Sequence, residues 1–72
     1  MRMTFDSHAD AAYLAVEKHI RAGAAIENVV VEREGRGDIV LDFDADGRLL
    51  GVEIIGATAL LSAAVLAAAD PI

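Results

Sequence analysis

The sequence predicts an α+β domain, with a small antiparallel sheet of about five strands, rich in hairpins, followed by an apolar C-terminal helix. Short β-favouring segments alternate with glycine-containing turns over residues 1–55. An alanine-rich segment without charges follows at 59–69. Because 72 residues allow only one hydrophobic core, we expect residues 1–72 to form a single domain.

A β-hairpin is predicted with strands at 39–43 and 49–55 around a turn at 44–47. Gly47 supplies the positive φ that such a turn requires. Placing the ends of the two strands opposite each other gives the register. The predicted pairs are Phe43 with Arg48, Leu41 with Leu50 and Ile39 with Val52 on an apolar face, and Asp42 with Leu49, Val40 with Gly51 and Asp38 with Glu53 on a mixed face.

Two further strands are predicted on the N-terminal side of this hairpin. One lies at 1–5, and the other lies at 26–33, where three consecutive valines form a β-branched run. The segment at 21–25 contains a glycine and is predicted to be a connector.

Residues 9–18 support two interpretations. Their alanine, leucine, glutamate and lysine content favours a helix, which Ser7 and Asp10 would cap. A hairpin with the first strand would instead make 12–16 a strand. The residues alone leave the conformation of 7–25 open.

The C-terminal helix predicted at 59–69 has no polar side. Thr58 is its expected N-cap, and Asp70-Pro71 should end it. A helix that is apolar on all sides is buried on more than one side, which a monomer of this size can hardly achieve. We therefore expect a homo-oligomer. The bulky residues spread around the helical wheel are Leu60, Leu61, Val65 and Leu66.

Composition narrows the class of protein further. The net charge of −6, with one lysine and five arginines, disfavours direct nucleic-acid binding and is compatible with a basic protein partner. There is no cysteine, which excludes disulfides and thiolate metal sites. The uncharged run at 54–69 has 16 residues, fewer than the roughly 20 needed to cross a bilayer. With no apolar run after the N-terminus to act as a signal peptide, we expect a cytoplasmic protein without a membrane segment.

One motif suggests calcium binding. The pattern D-x-D-x-D-G-x5-E of an EF-hand loop is matched at every specified position, with carboxylate ligands suited to a hard cation. An EF-hand needs a helix entering the loop, but glycines and the β-favouring run at 39–41 precede it. The hairpin is the preferred interpretation, and calcium binding is the alternative. The candidate metal ligands are Asp42, Asp44, Asp46 and Glu53.

Other constellations are weaker. Asp38, Asp42 and Glu53 share one hairpin face, where unpaired acids would repel each other unless a cation or a basic partner is present. His8 with Asp10, and His19 alone, lack the further ligand that zinc requires. Ser7 and Ser62 lie in neither a nucleophile elbow nor an evident pairing with a base. We therefore predict no catalytic residues and no cofactor.

Two stretches resemble the domain of unknown function 2283 family. Residues 5–14 read F-D-S-H-A-D-A-A-Y-L and are similar to its opening Y-D-x-E-A-D-A-L-Y-I. Residues 41–55 read L-D-F-D-A-D-G-R-L-L-G-V-E-I-I and are similar to its L-D-Y-D-x-D-G-x-L-V-G-I-E-I-L, and Ala57-Thr58 stands where the family tends to carry A-S. Phe5, His8, Ala12 and a longer segment at 18–25 depart from the family pattern.

The resemblance implies a short prokaryotic protein that is mostly β with a small helical part. It favours the strand at 12–16 and places Glu53 in a hairpin strand. It implies no enzymatic activity, and some small acidic proteins of this kind resemble antitoxins that pair with basic toxins. The resulting hypothesis is an oligomeric, non-enzymatic interaction module. The alternatives are a divalent-cation binder and an enzyme with an acidic site at an oligomer interface.

Overall fold

A computed structural model describes all residues from 1 to 72 and has the predicted α+β class. Six strands form one sheet in the order β3-β4-β5-β2-β1-β6, and two short helices stand between β5 and β6. The elements are β1 (Arg2–Asp6), β2 (Ala11–Ala15), β3 (Glu27–Arg33), β4 (Gly37–Phe43), β5 (Leu49–Ile55), α1 (Ala57–Leu60), α2 (Ala63–Ala68) and β6 (Asp70–Pro71).

The five longer strands pair antiparallel, as the hairpin pattern predicts, and the sixth is an addition. β6 has two residues and runs parallel to β1, where Asp70 is opposite Thr4 and Pro71 is opposite Phe5. A backbone hydrogen bond of 3.1 Å from Ile72 N–H to Phe5 C=O and an exposed ion pair of 2.9 Å between Arg2 Nε and Asp70 Oδ2 accompany this pairing. The sequence prediction of about five strands is therefore roughly matched: it misses this terminal strand, and β4 begins at Gly37, two residues before the predicted start at 39.

The ambiguous segment at 9–18 contains a strand and not a helix. β2 pairs with β1 on one side and with β5 on the other, so it lies inside the sheet. Both neighbouring strands supply backbone hydrogen-bond partners, and this tertiary pairing overrides the helix propensity of its alanines and leucine. The strand alternative is confirmed.

The β4–β5 hairpin forms with the predicted strand at Leu49–Ile55, but the predicted register is wrong by two residues. Leu41 is opposite Val52 where Leu50 was expected, and the register shifts between Asp42 and Phe43. Leu50 is the extra residue of this bulge, and its carbonyl oxygen accepts the backbone N–H groups of Val16 and Glu17 at 2.9 and 3.0 Å. Because the shift is even, residues 38–42 and 51–55 keep their predicted faces. The observed pairs are Ile39 with Ile54, Val40 with Glu53, Asp38 with Ile55, Asp42 with Gly51, and Phe43 with Leu49.

The single helix predicted at 59–69 is also wrong, because the chain breaks it in two at Leu61–Ser62. Ser62 has an extended backbone, and its side chain accepts the N–H of Val65 at 3.2 Å, so it begins α2 as an N-cap. The expected N-cap Thr58 lies inside α1, which instead begins after Gly56. Neither helix has the length or continuous apolar run that would carry it across a membrane.

The break lets apolar side chains of both helices pack on one face of the sheet. Ala12, Ile54 and Ala57 form the buried centre. Around them pack Phe5, Val52, Leu60, Leu61 and Leu66. This core lies over β1, β2 and β5, whereas every residue of β3 is exposed.

Candidate functional site

The face of the sheet opposite the helices carries a group of polar side chains, here called the tyrosine–acid cluster: Tyr13, Asn28, Asp42 and Glu53. The register puts them together because Asn28 is opposite Asp42 and Glu53 is opposite Tyr13. Residues directly opposite in an antiparallel pair point to the same side of the sheet. Four neighbouring strands thus contribute one side chain each.

Gly51 allows the Tyr13 ring to reach across β5 towards β4. A Cβ atom at position 51 would overlap Oη and Cζ of Tyr13, so any other residue there would displace the ring. From there Tyr13 Oη donates to Asp42 Oδ2 at 3.4 Å, a long hydrogen bond. Asn28 Nδ2 donates to Asp42 Oδ1 at 2.5 Å. The Asp42 carboxylate is therefore held from two sides by neutral donors.

The cluster is electrostatically uncompensated. Loss of solvent around Tyr13, followed by the Asp42 charge and hydrogen bond and by the Glu53 charge, raises the pKa of the Tyr13 phenol above its ordinary value of 10.0. The chain has one ion pair, Arg2 with Asp70, and it lies outside the cluster. A neutral tyrosine between two acids can accept or donate a hydrogen bond, but it does not act as a base near neutral pH.

The aspartate loop is a closed hairpin turn. Asp44 Oδ1 accepts the backbone N–H groups of Asp46 and Arg48, both at 2.9 Å, and the Asp44 main chain bonds to Gly47 and Arg48. This is the side-chain-to-backbone pattern that makes aspartate common in turns. Strands, not helices, enter and leave the turn.

The candidate calcium ligands are not brought together. Asp44 bonds to the turn, Asp46 is exposed at its tip, and Asp42 belongs to the tyrosine–acid cluster with Glu53 on the sheet. No three side chains of histidine, aspartate or glutamate group in a way that could hold a metal ion. Asp38, expected directly opposite Glu53, is opposite Ile55, so the second acidic set is also spread out.

Asp10 has a role that the sequence reasoning missed. It adopts a positive φ of 52°, and its carbonyl oxygen accepts the N–H groups of Gly56 and Ala57 at 3.0 and 2.9 Å. Its carboxylate accepts the Thr58 N–H at 3.0 Å and the Thr58 hydroxyl at 2.9 Å. Asp10 therefore ties the β1–β2 turn to the start of α1, far along the chain, and does not cap a local helix with Ser7.

A signal for this contact was present in the sequence. The first stretch that carries the family resemblance contains A-D-A at 9–11, and Ala57-Thr58 stands where the family tends to carry A-S; these are the segments that Asp10 joins. The other polar candidates have no such partners: His8 and His19 are exposed, and only the main-chain N–H of His8 bonds, to Asp6. Ser62 is used as a helix cap.

The comparisons with known proteins give one match. The model of the family described as "Protein of unknown function (DUF2283)" covers residues 2–57. No curated protein and no solved structure matches the chain.

Proposed function

The chain belongs to this family of proteins of unknown function, and from that premise we propose that it is a non-enzymatic interaction module that works as a homo-oligomer. The observation that carries the proposal is the small core. Only five residues of 72 are buried, and no large side chain is fully enclosed. The five are Ala12, Leu50, Gly51, Ile54 and Ala57.

A chain of this size with so little enclosed volume has few other sources of stability. Small domains compensate with disulfides, with a metal or by association. This chain has no cysteine and no grouped metal ligands. Association would remove apolar surface from water at about 25 cal/mol per Å².

The exposed apolar side chains support the same proposal. Val29, Val30 and Val31 have 42, 53 and 43% of their surfaces exposed, and Ile55 and Val65 have 40 and 41%. Val29 and Val31 lie next to each other on the helix-bearing face of the sheet, and exposed apolar residues that adjoin one another on a small protein are typical of interaction surfaces. Their coverage by another chain would add buried apolar surface to the small core of the monomer.

The proposal that the protein is not an enzyme is supported by the use of its polar groups. Ser62 caps a helix, Asp44 closes a turn, and Asp10 anchors α1. The Thr58 hydroxyl donates to the Asp10 carboxylate at 2.9 Å, but that carboxylate also accepts the Thr58 N–H as part of the anchor, and neither serine hydroxyl has a base as its hydrogen-bond partner. The enzyme alternative, with an acidic site completed at an oligomer interface, would gain support from a metabolite retained in native mass spectrometry.

A basic protein is the partner we propose beyond self-association. Asp42 and Glu53 form no ion pair within the chain and lie, half-buried, on the sheet face opposite the helices, where Asp42 is opposite Gly51 and Glu53 is opposite Val40. A lysine or arginine from another protein would compensate them, and the net charge of −6 would speed the encounter. An antitoxin-like role is one form of this function.

Calcium binding through Asp42, Asp44, Asp46 and Glu53 is the alternative proposal. A ligand that binds the folded state must raise the melting temperature. Millimolar calcium or magnesium should therefore leave thermal unfolding unchanged if the loop is only a turn. A clear rise in melting temperature would favour the cation binder.

Size-exclusion chromatography with light scattering, with and without calcium, tests the main proposal. We expect an oligomer at micromolar concentration whose mass does not depend on calcium. A monomer at that concentration would contradict the proposal.

A further inference from the structure

β3 is an edge strand with nothing along its outer side. It ends the sheet and pairs only with β4, and all seven of its residues are exposed. Edge strands are usually protected by lysine, proline, a bulge or shortness. β3 contains no lysine or proline and pairs with β4 without a register shift, and its charged residues Glu27, Glu32 and Arg33 lie only towards its ends, which leaves the valines at its centre unprotected. The other edge, β6, has only two residues.

The hydrogen bonds show which backbone groups β3 offers. Arg33 C=O accepts the Arg36 N–H in the β3–β4 turn, and Phe43 C=O faces β3, where it accepts the Ile26 N–H. Backbone groups alternate between the two edges of a strand. Glu27 is opposite Phe43. The backbone N–H and C=O groups of Glu27 and of every second residue up to Arg33 therefore point towards β4. The N–H and C=O groups of Asn28, Val30 and Glu32 point outwards.

We infer that β3 pairs antiparallel with β3 of a second copy of this chain, around a two-fold axis at Val30. The inference rests on the proposed self-association and adds its surface and register. Val30 of each chain donates its N–H to, and accepts the N–H of, Val30 of the other. The two sheets join into one continuous sheet with the helices of both chains on the same side.

Charge complementarity selects this register. Pairing Val30 with its copy aligns the whole strand and places Glu27 of each chain opposite Arg33 of the other. Val29 then meets Val31 of the second copy on the helix-bearing face. Neither Glu27 nor Arg33 has an ion pair within its own chain. Each dimer gains two such cross-strand pairs.

The neighbouring registers are poorer. With a two-fold axis perpendicular to the sheet, the opposite residue along the facing β3 strand can change only in steps of two if each side chain is to stay on its own face of the sheet. One such shift places Val30 opposite Asn28, and the other places it opposite Glu32. Both leave Glu27 and Arg33 without an opposite charge across the strand.

Charge reversal tests the pairing. The variants are Glu27→Arg, Arg33→Glu and the double variant, with Glu17→Arg as a control that makes the same charge change as Glu27→Arg at an exposed site outside β3. Sedimentation equilibrium should show a dimer dissociation constant about tenfold higher for each single variant than for the wild type. In each single variant, both cross-strand pairs between positions 27 and 33 change from opposite charges to like charges. The double variant should return to near the wild-type value. Rescue cannot arise within one chain, since the two positions stand at opposite ends of β3.

The possible outcomes separate the two proposals. A monomeric wild type contradicts self-association and this pairing together. A dimeric wild type whose dissociation constant is unchanged by the single variants, or is not restored in the double variant, overturns the β3 pairing and leaves the interaction module standing. Urea unfolding of each variant below the dissociation constant checks that the monomer fold is intact.

A cysteine variant gives an independent test in a chain without cysteine. Residues in a hydrogen-bonded antiparallel pair have Cα atoms about 5.5 Å apart, within the range of a disulfide. Val30→Cys should form a covalent dimer under mild oxidation, whereas Val65→Cys, which is also exposed on α2, should not. The inference would be overturned if only Val65→Cys formed a covalent dimer, or if neither variant formed one.

Discussion

The two halves of the sheet are built differently. Over β1, β2 and β5 the helices close a core around Ala12 and Ile54, and Asp10 ties the start of α1 to the β1–β2 turn. The outermost strand β3 has no buried residue. The first half contains the buried core of the chain, whereas the second half is exposed in the way that an interface would be. Substitutions over β1, β2 and β5 should therefore change the free energy of unfolding, whereas substitutions in β3 should change self-association.

The largest expected effect is the loss of the Asp10 anchor. Asp10→Ala removes the acceptor of the Thr58 N–H and hydroxyl and places alanine at a positive φ, which should lower the free energy of unfolding by about 3 kcal/mol. Urea unfolding followed by circular dichroism measures it. Asp46→Ala, at an exposed residue whose side chain makes no hydrogen bond, is the matched control. Equal effects of the two variants would contradict the anchor.

Gly51→Ala should have the next largest effect. The added Cβ would overlap the Tyr13 ring, so the ring must move, at a cost of about 2 kcal/mol. In a Tyr13→Ala background the same change should cost much less, because the clash is gone. A double-mutant cycle by urea unfolding measures this coupling. Additive effects would mean that the ring does not lie over Gly51.

Tyr13 should titrate at an unusually high pH. It is the single tyrosine and there is no tryptophan, so ultraviolet absorbance reports this phenol alone. We expect a pKa above 10.0 in the folded protein and a lower pKa in Asp42→Asn, which removes a charge that opposes ionisation. An unshifted pKa in both proteins would contradict the cluster geometry.

The same pKa predicts a pH dependence of stability. Because the folded state holds the phenol proton more tightly than the unfolded state, its contribution is complete below about pH 10 and is lost as the pH rises through the folded pKa. Tyr13→Phe should remove this part of the alkaline loss of stability. The free energies of unfolding of the two proteins are compared by urea unfolding between about pH 9 and pH 11, a range that brackets the ordinary tyrosine pKa of about 10.

The smallest expected effect is that of Asp44→Asn in the hairpin turn. Asparagine can accept the two backbone N–H groups that Asp44 binds, so the change in unfolding free energy should stay below about 0.5 kcal/mol. The result should be the same with and without calcium in thermal unfolding. A large loss that appears only with calcium present would favour the cation binder instead.

The sequence was informative where structure depends on neighbouring residues. The β4–β5 hairpin and its faces follow from alternation and from Gly47, and β5 has its predicted bounds at Leu49–Ile55. The register did not follow, because the bulge at Leu50 is fixed by bonds from Val16 and Glu17 elsewhere in the chain. The break at Ser62 was also missed, since alanine-rich composition favours one continuous helix.

The candidate site was predictable only in part. Asp42 and Glu53 were placed on one face, but Tyr13 and Asn28 come from strands whose order in the sheet no local pattern gives. Asp10 was missed for the same reason, because its partner Thr58 is 48 residues away. Contacts of this length depend on topology and not on periodicity.

The distance that Asp10 bridges also has a consequence for folding kinetics. The β3–β4–β5 meander is built from contacts between nearby residues, whereas the Asp10–Thr58 contact must close most of the chain, and contacts of long separation form late. We therefore expect Asp10→Asn to speed unfolding much more than it slows folding. In a chevron plot the unfolding arm would rise while the folding arm stays almost in place, which would make Asp10 a latch that sets the lifetime of the folded chain.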